Sequence, residues 1–288
     1  MARLAAIEAE LGYDVFDIRG LRRSLLNGGT RLDWLDAQRM DGSGPTFVPQ
    51  AHVSFDSRVA RRWAPPVFLS TTNGLASGNS IGEAALHALL ELVERDGTAR
   101  ARALTREEQR PVDVETVDTP EGRYLLQRMD AAGIRVEIRD ERGPTMLPSF
   151  ATTIWSEDHP FAFAGCGCHL DANVALCRAL TEAAQSRLAQ IAGSRDDVSA
   201  SFRRGHGSAA RRVAADAPDS SVSFGDIVSL ATDDMDQDLG LVVEKVKAQT
   251  GVSPIVVDLT REDVGIPVVK VVAPGLSFDH EPLERRRA

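Results

Sequence analysis

Five polar side chains in one stretch of this sequence, Glu83, His87, Glu91, Glu94 and Thr98, are spaced to share a helix face. At about 100° per residue they fall within an arc of roughly 80°, which Arg95 widens to about 120°. Three carboxylates stacked on one stripe repel one another, and an ordinary solvated helix intersperses Lys or Arg. Apart from Arg95 at its margin, no Lys or Arg lies along this stripe. The chemistry that suits such a stripe is cation binding and, through bound cations, phosphate binding. The competing reading is a solvated acidic face, which is common on surface helices.

The elements that must position the stripe favour the ligand reading. Ile81, Ala85, Ala88, Leu89 and Leu92 recur at helical spacing, so the helix is expected to be buried along one side. The chain enters it through GLASGNS, residues 74–80. Ser80 can cap the helix, with Glu83 three residues on completing a capping box. A Gly-rich nest and a helix N-terminus favour phosphate. No Gly-Lys-Ser/Thr follows, so this is not a Walker loop. A nucleotide bound here would need its charge met by metal ions and arginine.

Composition narrows the classes. A net charge of −9 over 288 residues argues against a general nucleic-acid binder. Hydrophobic content of 43% supports a core for one large or two modest domains. Only Lys245, Lys247 and Lys270 are lysines, so cationic roles near the acidic helix are expected to fall to arginine. No apolar run reaches membrane-span length, and no secretion signal is read at the start. The odd trio Cys166, Cys168 and Cys177 then points to reduced thiols in the cytoplasm. Cys166, Cys168 and His169 could be imagined as zinc ligands, but no second ligand pair accompanies them.

Taken in order, the chain reads as a helix in ARLAAIEAELG, a turn at residues 27–29, and strands at 47–48 and near 52–55. Trp34 and Trp63 are read as packing residues. After the central helix come a helix from Pro120 to a stop at Gly133, then strands at 135–140, 150–157 and 161–169. A second helix begins after Asp171, with Val174, Cys177, Leu180, Ala184, Leu188 and Ile191 as its expected core face. HALLELVER (87–95) aligns with RALTEAAQS (178–186), placing Glu91 over Glu182 and Glu94 over Gln185. This is a weak internal repeat of two helices facing one site, or a chance likeness of Ala/Leu/Glu-rich helices. Residues 196–234 read as a long polar, mobile loop, with a short helix around 198–203. A helix, two strands from 254 onward and a charged tail finish the chain. Alternating helices and strands make this an α/β or α+β protein.

Three blocks, NGLASGNSIGEAALHALLELVERD, GCGCHLDANVALCRALTEAAQSRLAQIAGSRDD and VVDLTREDVGIPVVKVVAPGL, strongly resemble YcaO-type enzymes. The ALTEAAQSR…GSRDD block resembles the branch encoded beside TfuA proteins. The resemblance implies a single YcaO-like domain over 1–288, built of repeated helix–strand units with mixed sheets around a nucleotide site. It implies ATP- and Mg2+-dependent O-phosphorylation of a peptide backbone amide, followed by displacement of phosphate by a nucleophile. In azoline makers that nucleophile is a neighbouring Cys, Ser or Thr; in the TfuA-associated branch it is external sulfide or its donor, giving a thioamide. Carried over position by position, Asn79 and Glu83 resemble nucleotide contacts, Arg95 and Arg178 phosphate contacts, and Glu91, Glu94 and Glu182 magnesium ligands. Gln185 is a further nucleotide contact, and His87 is packing or supports the ligands. The expected partners are a peptide or protein substrate, a TfuA-like protein and a second copy in a homodimer, with no nucleic acid and no membrane.

Two departures from the family pattern stand out. The family's earlier block, with a Gly-Lys-Gly lead-in and a helix bearing further glutamates, has no counterpart in residues 1–69. The chain also ends in ERRRA rather than the Pro-x-Pro-x-Pro of many azoline makers, which points toward thioamide formation. The alternatives are an azoline-forming cyclodehydratase and a non-catalytic relative serving as a peptide-binding scaffold.

Overall fold

The structure is a computed structural model that describes residues 2–18, 24–54, 67–69, 71–193 and 221–278. The chain divides into two compact units, Met1–Asp96 with Thr232–Ala288, and Gly97–Ala231.

The first unit opens with β1 (Ala2–Arg3), α1 (Leu4–Leu11), β2 (Arg31–Leu32), β3 (Trp34–Arg39) and β4 (Pro45–Pro49). A single helical turn, α2 (Gln50–Val53), follows, then β5 (Leu75–Ser77) and the long α3 (Ile81–Ala103). The strand expected near 52–55 is therefore not present over 52–53. Proline at 49 has no N–H to continue a ladder, and the Ser54 N–H instead closes onto Gln50 O at 2.8 Å. Trp63 lies outside the described residues, whereas Trp34 packs against the core.

The central helix is buried as its pattern demands. Ala84, Ala85, Ala88, Leu89, Leu90, Leu92 and Val93 are all buried, although Ile81 at its start is exposed. Its residues through Asp96 belong to the first unit and those from Gly97 to the second.

In the second unit, β6 (Pro111–Asp113), α4 (Pro120–Ala131), β7 (Arg135–Asp140), β8 (Ser149–Ser156), β9 (His159–Cys168), α5 (Ala172–Ala192) and β10 (Val222–Ser223) follow. The sheet order is β10-β6-β7-β8-β9, antiparallel except between β10 and β6. Proline at 120 opens α4, and Gly133, at φ 68°, stops the chain beyond it in the left-handed region that glycine tolerates. The Asp171 side chain caps α5 by accepting the Val174 N–H at 3.0 Å. Of the polar stretch 196–234, residues 196–220 lie outside the described residues, among them the short helix expected at 198–203. Beyond them Val222 pairs with Val112, and Phe224 and Ile227 are buried.

The expected core face of α5 is corrected by the structure. Its buried residues are Ala172, Ala175, Leu176, Ala179, Leu180 and Ala183, while Ala184, Leu188 and Ile191 are exposed. The cause lies in β9. A Cβ at Gly165 or Gly167 would collide with the α5 backbone at Ala175, Ala179 and Ala183. The helix therefore turns its alanines to the strand, and close approach replaces the larger side chains.

The chain returns to the first unit through α6 (Met235–Thr250), β11 (Ile255–Asp258) and β12 (Val268–Val272). The first unit's larger sheet has the order β4-β3-β11-β12-β5 and is antiparallel throughout. Its core gathers Leu4, Leu11, Val48, Ile255 and Val272. The mixed α/β architecture agrees with the class read from the sequence.

Candidate nucleotide and metal site

The predicted residues of the first unit sit along the first four turns of α3 and in its lead-in. Ser80 Oγ accepts the Glu83 N–H at 3.1 Å, which caps the helix. Glu83 does not return to the Ser80 N–H as a full capping box would. Its Oε2 instead accepts the Asn79 N–H and the Asn79 side-chain amide, both at 2.8 Å. Those bonds hold the Glu83 carboxyl below its usual pKa. The structure thus joins Asn79 and Glu83, both predicted nucleotide contacts.

One turn beyond the exposed His87, Glu91 is half-buried and engaged at both oxygens. Its Oε2 accepts the Gly74 N–H at 3.0 Å, and its Oε1 lies 3.8 Å from the Arg95 guanidinium. The stripe is therefore not without a cation, because Arg95 stands four residues after Glu91. Gly74 sits at φ 75°, donates to Glu91, and offers its carbonyl to the Val271 N–H at 2.7 Å. A Cβ there would strike Val271 O, so this backbone approach needs glycine. Glu94 and Arg95 are half-buried, and Arg95 Nε is buried with no acceptor among the described residues.

A lysine completes this neighbourhood, contrary to the expectation that arginine alone would serve. Lys270 in β12 is 1% exposed, and its Nζ donates to Thr71 O at 2.7 Å. Burial pushes its pKa down to about 8, while the negative charge of Glu91 works in the opposite direction. The signal was present in the sequence, as one charged residue within the apolar run VVKVV.

In the second unit, Glu182 on α5 accepts the Cys166 N–H at 2.8 Å. Cys166 lies on β9, an edge strand of its sheet. Arg178, Glu182 and Gln185 are all exposed. Thr98, the last member of the stripe, is buried; its hydroxyl donates to Glu141 at 2.8 Å and lies 3.6 Å from Cys166 Sγ. Burial raises the pKa of Glu141 against the opposing influence of the Thr98 hydrogen bond and Arg139. Glu141 has no helical spacing to any predicted ligand, so sequence periodicity could not reveal it.

Among the described residues no group of three or more His, Cys, Asp or Glu could by itself hold a metal ion. Mg2+ takes one or two carboxylates and completes its shell with phosphate oxygens and water. Carboxylates supply the hard oxygen donors, and the unsatisfied Arg95 Nε is a donor suited to phosphate. No helix among the described residues is long and apolar enough to cross a membrane.

An uncharacterized protein in the tfuA 3' region of Rhizobium leguminosarum bv. trifolii is 31% identical over 282 residues, covering 88% of this chain and 62% of that one. The chain likewise spans 62% of the first curated relatives it matches. The heterocyclase TruD superposes with a TM-score of 0.72 at 28% identity, covering 90% of this chain and 37% of TruD. YcaO from Methanopyrus kandleri, bound with AMPPCP and Mg2+, shares the fold with a TM-score of 0.69 at 24% identity, covering 88% of this chain and 68% of that one. Residues 8–277 match the family described as YcaO cyclodehydratase, ATP- and Mg2+-binding, and this chain belongs to the YcaO family.

Proposed function

We propose that this protein activates a peptide backbone amide with ATP and Mg2+, in the post-translational modification of a ribosomally made peptide or protein, and that its product is a thioamide. Glu91, Glu94 and Glu182 are the proposed Mg2+ ligands; Asn79, Glu83, Arg95, Arg178 and Gln185 serve the nucleotide. The observation that carries this reading is the equivalent anchoring of Glu91 and Glu182. Each accepts a backbone N–H from the segment leading into its own helix. Such anchoring fixes a carboxylate while leaving its second oxygen for another partner. Mg-ATP would supply a phosphoryl group to the amide oxygen, and the protein's part is positioning and charge neutralisation.

Thioamide formation with a TfuA-like partner is supported by the tfuA-region relative. The reading carries with it a cytoplasmic setting, a peptide substrate and a homodimer. Azoline formation is the second reading, favoured by the likeness to the heterocyclase TruD. Mass spectrometry of a Cys/Ser/Thr-containing peptide incubated with the protein, ATP, Mg2+ and sulfide separates them. Sulfur-for-oxygen exchange adds about 16 Da, whereas ring closure removes about 18 Da. ATP consumption stimulated by peptide would rule out the non-catalytic relative.

A further inference from the structure

Lys270 is a fully buried lysine in an otherwise apolar strand. Its position on β12 belongs to a run of valines, and a neutral side chain would avoid the desolvation of an ammonium group. Three bonds explain what its charge accomplishes. Lys270 Nζ holds Thr71 O at 2.7 Å, the neighbouring Val271 N–H holds Gly74 O at 2.7 Å, and the Gly74 N–H holds Glu91 Oε2 at 3.0 Å. Residues 71–74 are thereby fastened at both ends to β12. Their last amide is aimed at a carboxylate of α3 that faces the lysine's charge.

We propose that Lys270 is a positioning residue that acts through Glu91. It clamps residues 71–74 so that the Gly74 amide fixes one oxygen of the carboxylate and leaves the other to meet Mg2+. The inference rests on the reading of Glu91 as a metal ligand. It assigns different work to the two cations near that carboxylate. Lys270 is buried and tied to Thr71 O, whereas Arg95 is half-exposed and 3.8 Å from Glu91. Arg95 is therefore the one that can leave Glu91 for phosphate when Mg2+ takes its place.

The sign of one effect separates positioning from simple charge. Removing a positive charge beside Glu91 would on its own strengthen attraction for a divalent cation. Removing a clamp would weaken binding by loosening the carboxylate. The variants are Lys270→Met, which deletes the charge without leaving a buried ion, and Lys270→Arg, which keeps it. Two readouts are taken, with folding checked by circular dichroism. In the nucleotide-free chain, hydrogen exchange at the Gly74 amide should accelerate at least about tenfold in Lys270→Met, because the segment carrying that amide is no longer tied to β12 at Thr71. In calorimetric titrations of ATP at graded Mg2+, Lys270→Met should need about tenfold more Mg2+, and Lys270→Arg less than about threefold more. Unchanged Gly74 exchange in Lys270→Met overturns the clamp. Faster exchange with unchanged or tighter Mg2+ dependence overturns its action through Glu91. A wild-type chain that binds no Mg-ATP overturns the assignment of Glu91 as a ligand, and the inference falls with it; the exchange measurement then reports the clamp alone.

Discussion

Glu91 and Glu182 occupy corresponding places in the sequence, and each accepts one backbone N–H from the segment before its helix, Gly74 at 3.0 Å and Cys166 at 2.8 Å. Two Glu-bearing helices in unrelated contexts would not be expected to anchor the same carboxylate in the same way. The likeness of HALLELVER and RALTEAAQS thus has a structural counterpart.

That relationship predicts a split between two kinds of substitution. Glu91→Gln keeps an oxygen for the Gly74 N–H and loses only charge, so its stability should match the wild type while Mg-ATP affinity falls about tenfold or more. Glu91→Ala leaves the amide without its acceptor and should also cost about 1–2 kcal/mol of stability. Urea unfolding paired with calorimetric Mg-ATP titration of both variants checks this.

Gly167 carries the closest approach of strand to helix in the second unit, where a Cβ would collide with Ala175 O. Gly167→Ala is expected to destabilise by about 3 kcal/mol, since backbone cannot yield as a side chain can. A thermal melt showing no fall in midpoint would contradict the packing described for α5.

Much of the fold could be read from the sequence because local signals agreed with one another. Pro120 with Gly133, the Asp171 cap, and the apolar spacing of α3 each mark an element that the structure contains. The face of α5 was misjudged because glycines on β9, remote in sequence, reward small residues over large ones. At the candidate site, Asn79, Glu83, Glu91 and Glu182 prove to be held by hydrogen bonds to residues nearby in sequence. Lys270 and Glu141 escaped because their partners, Thr71 and Thr98, come from distant segments that only the folded chain brings together.

Glu141 predicts a pH dependence with a definite sign. Its carboxyl is raised above the ordinary value by burial, so between those two values the native state binds more protons than the unfolded state. The associated stability is full below the ordinary value and is lost as pH rises through the raised one. Glu141→Gln keeps an acceptor for Thr98 and removes this slope. Urea midpoints measured from about pH 4 to about pH 8 should therefore favour the variant increasingly as pH rises. A difference independent of pH would contradict the raised value.

The Ser80 cap offers a test confined to the helix start. Ser80→Ala removes the acceptor of the Glu83 N–H and should cost about 1 kcal/mol. Because Asn79 and Glu83 bond to each other independently, nucleotide binding should change less than stability does. Parallel chemical denaturation and ATP titration of this variant measure both.

The central claim is that this chain binds Mg-ATP through its glutamates. Calorimetric titration of ATP into the wild type and Glu91→Gln, each with and without Mg2+, tests it most directly. The account predicts wild-type binding that depends on Mg2+ and is weakened about tenfold or more by the substitution. Binding that ignores Mg2+, or that Glu91→Gln leaves untouched, would contradict it.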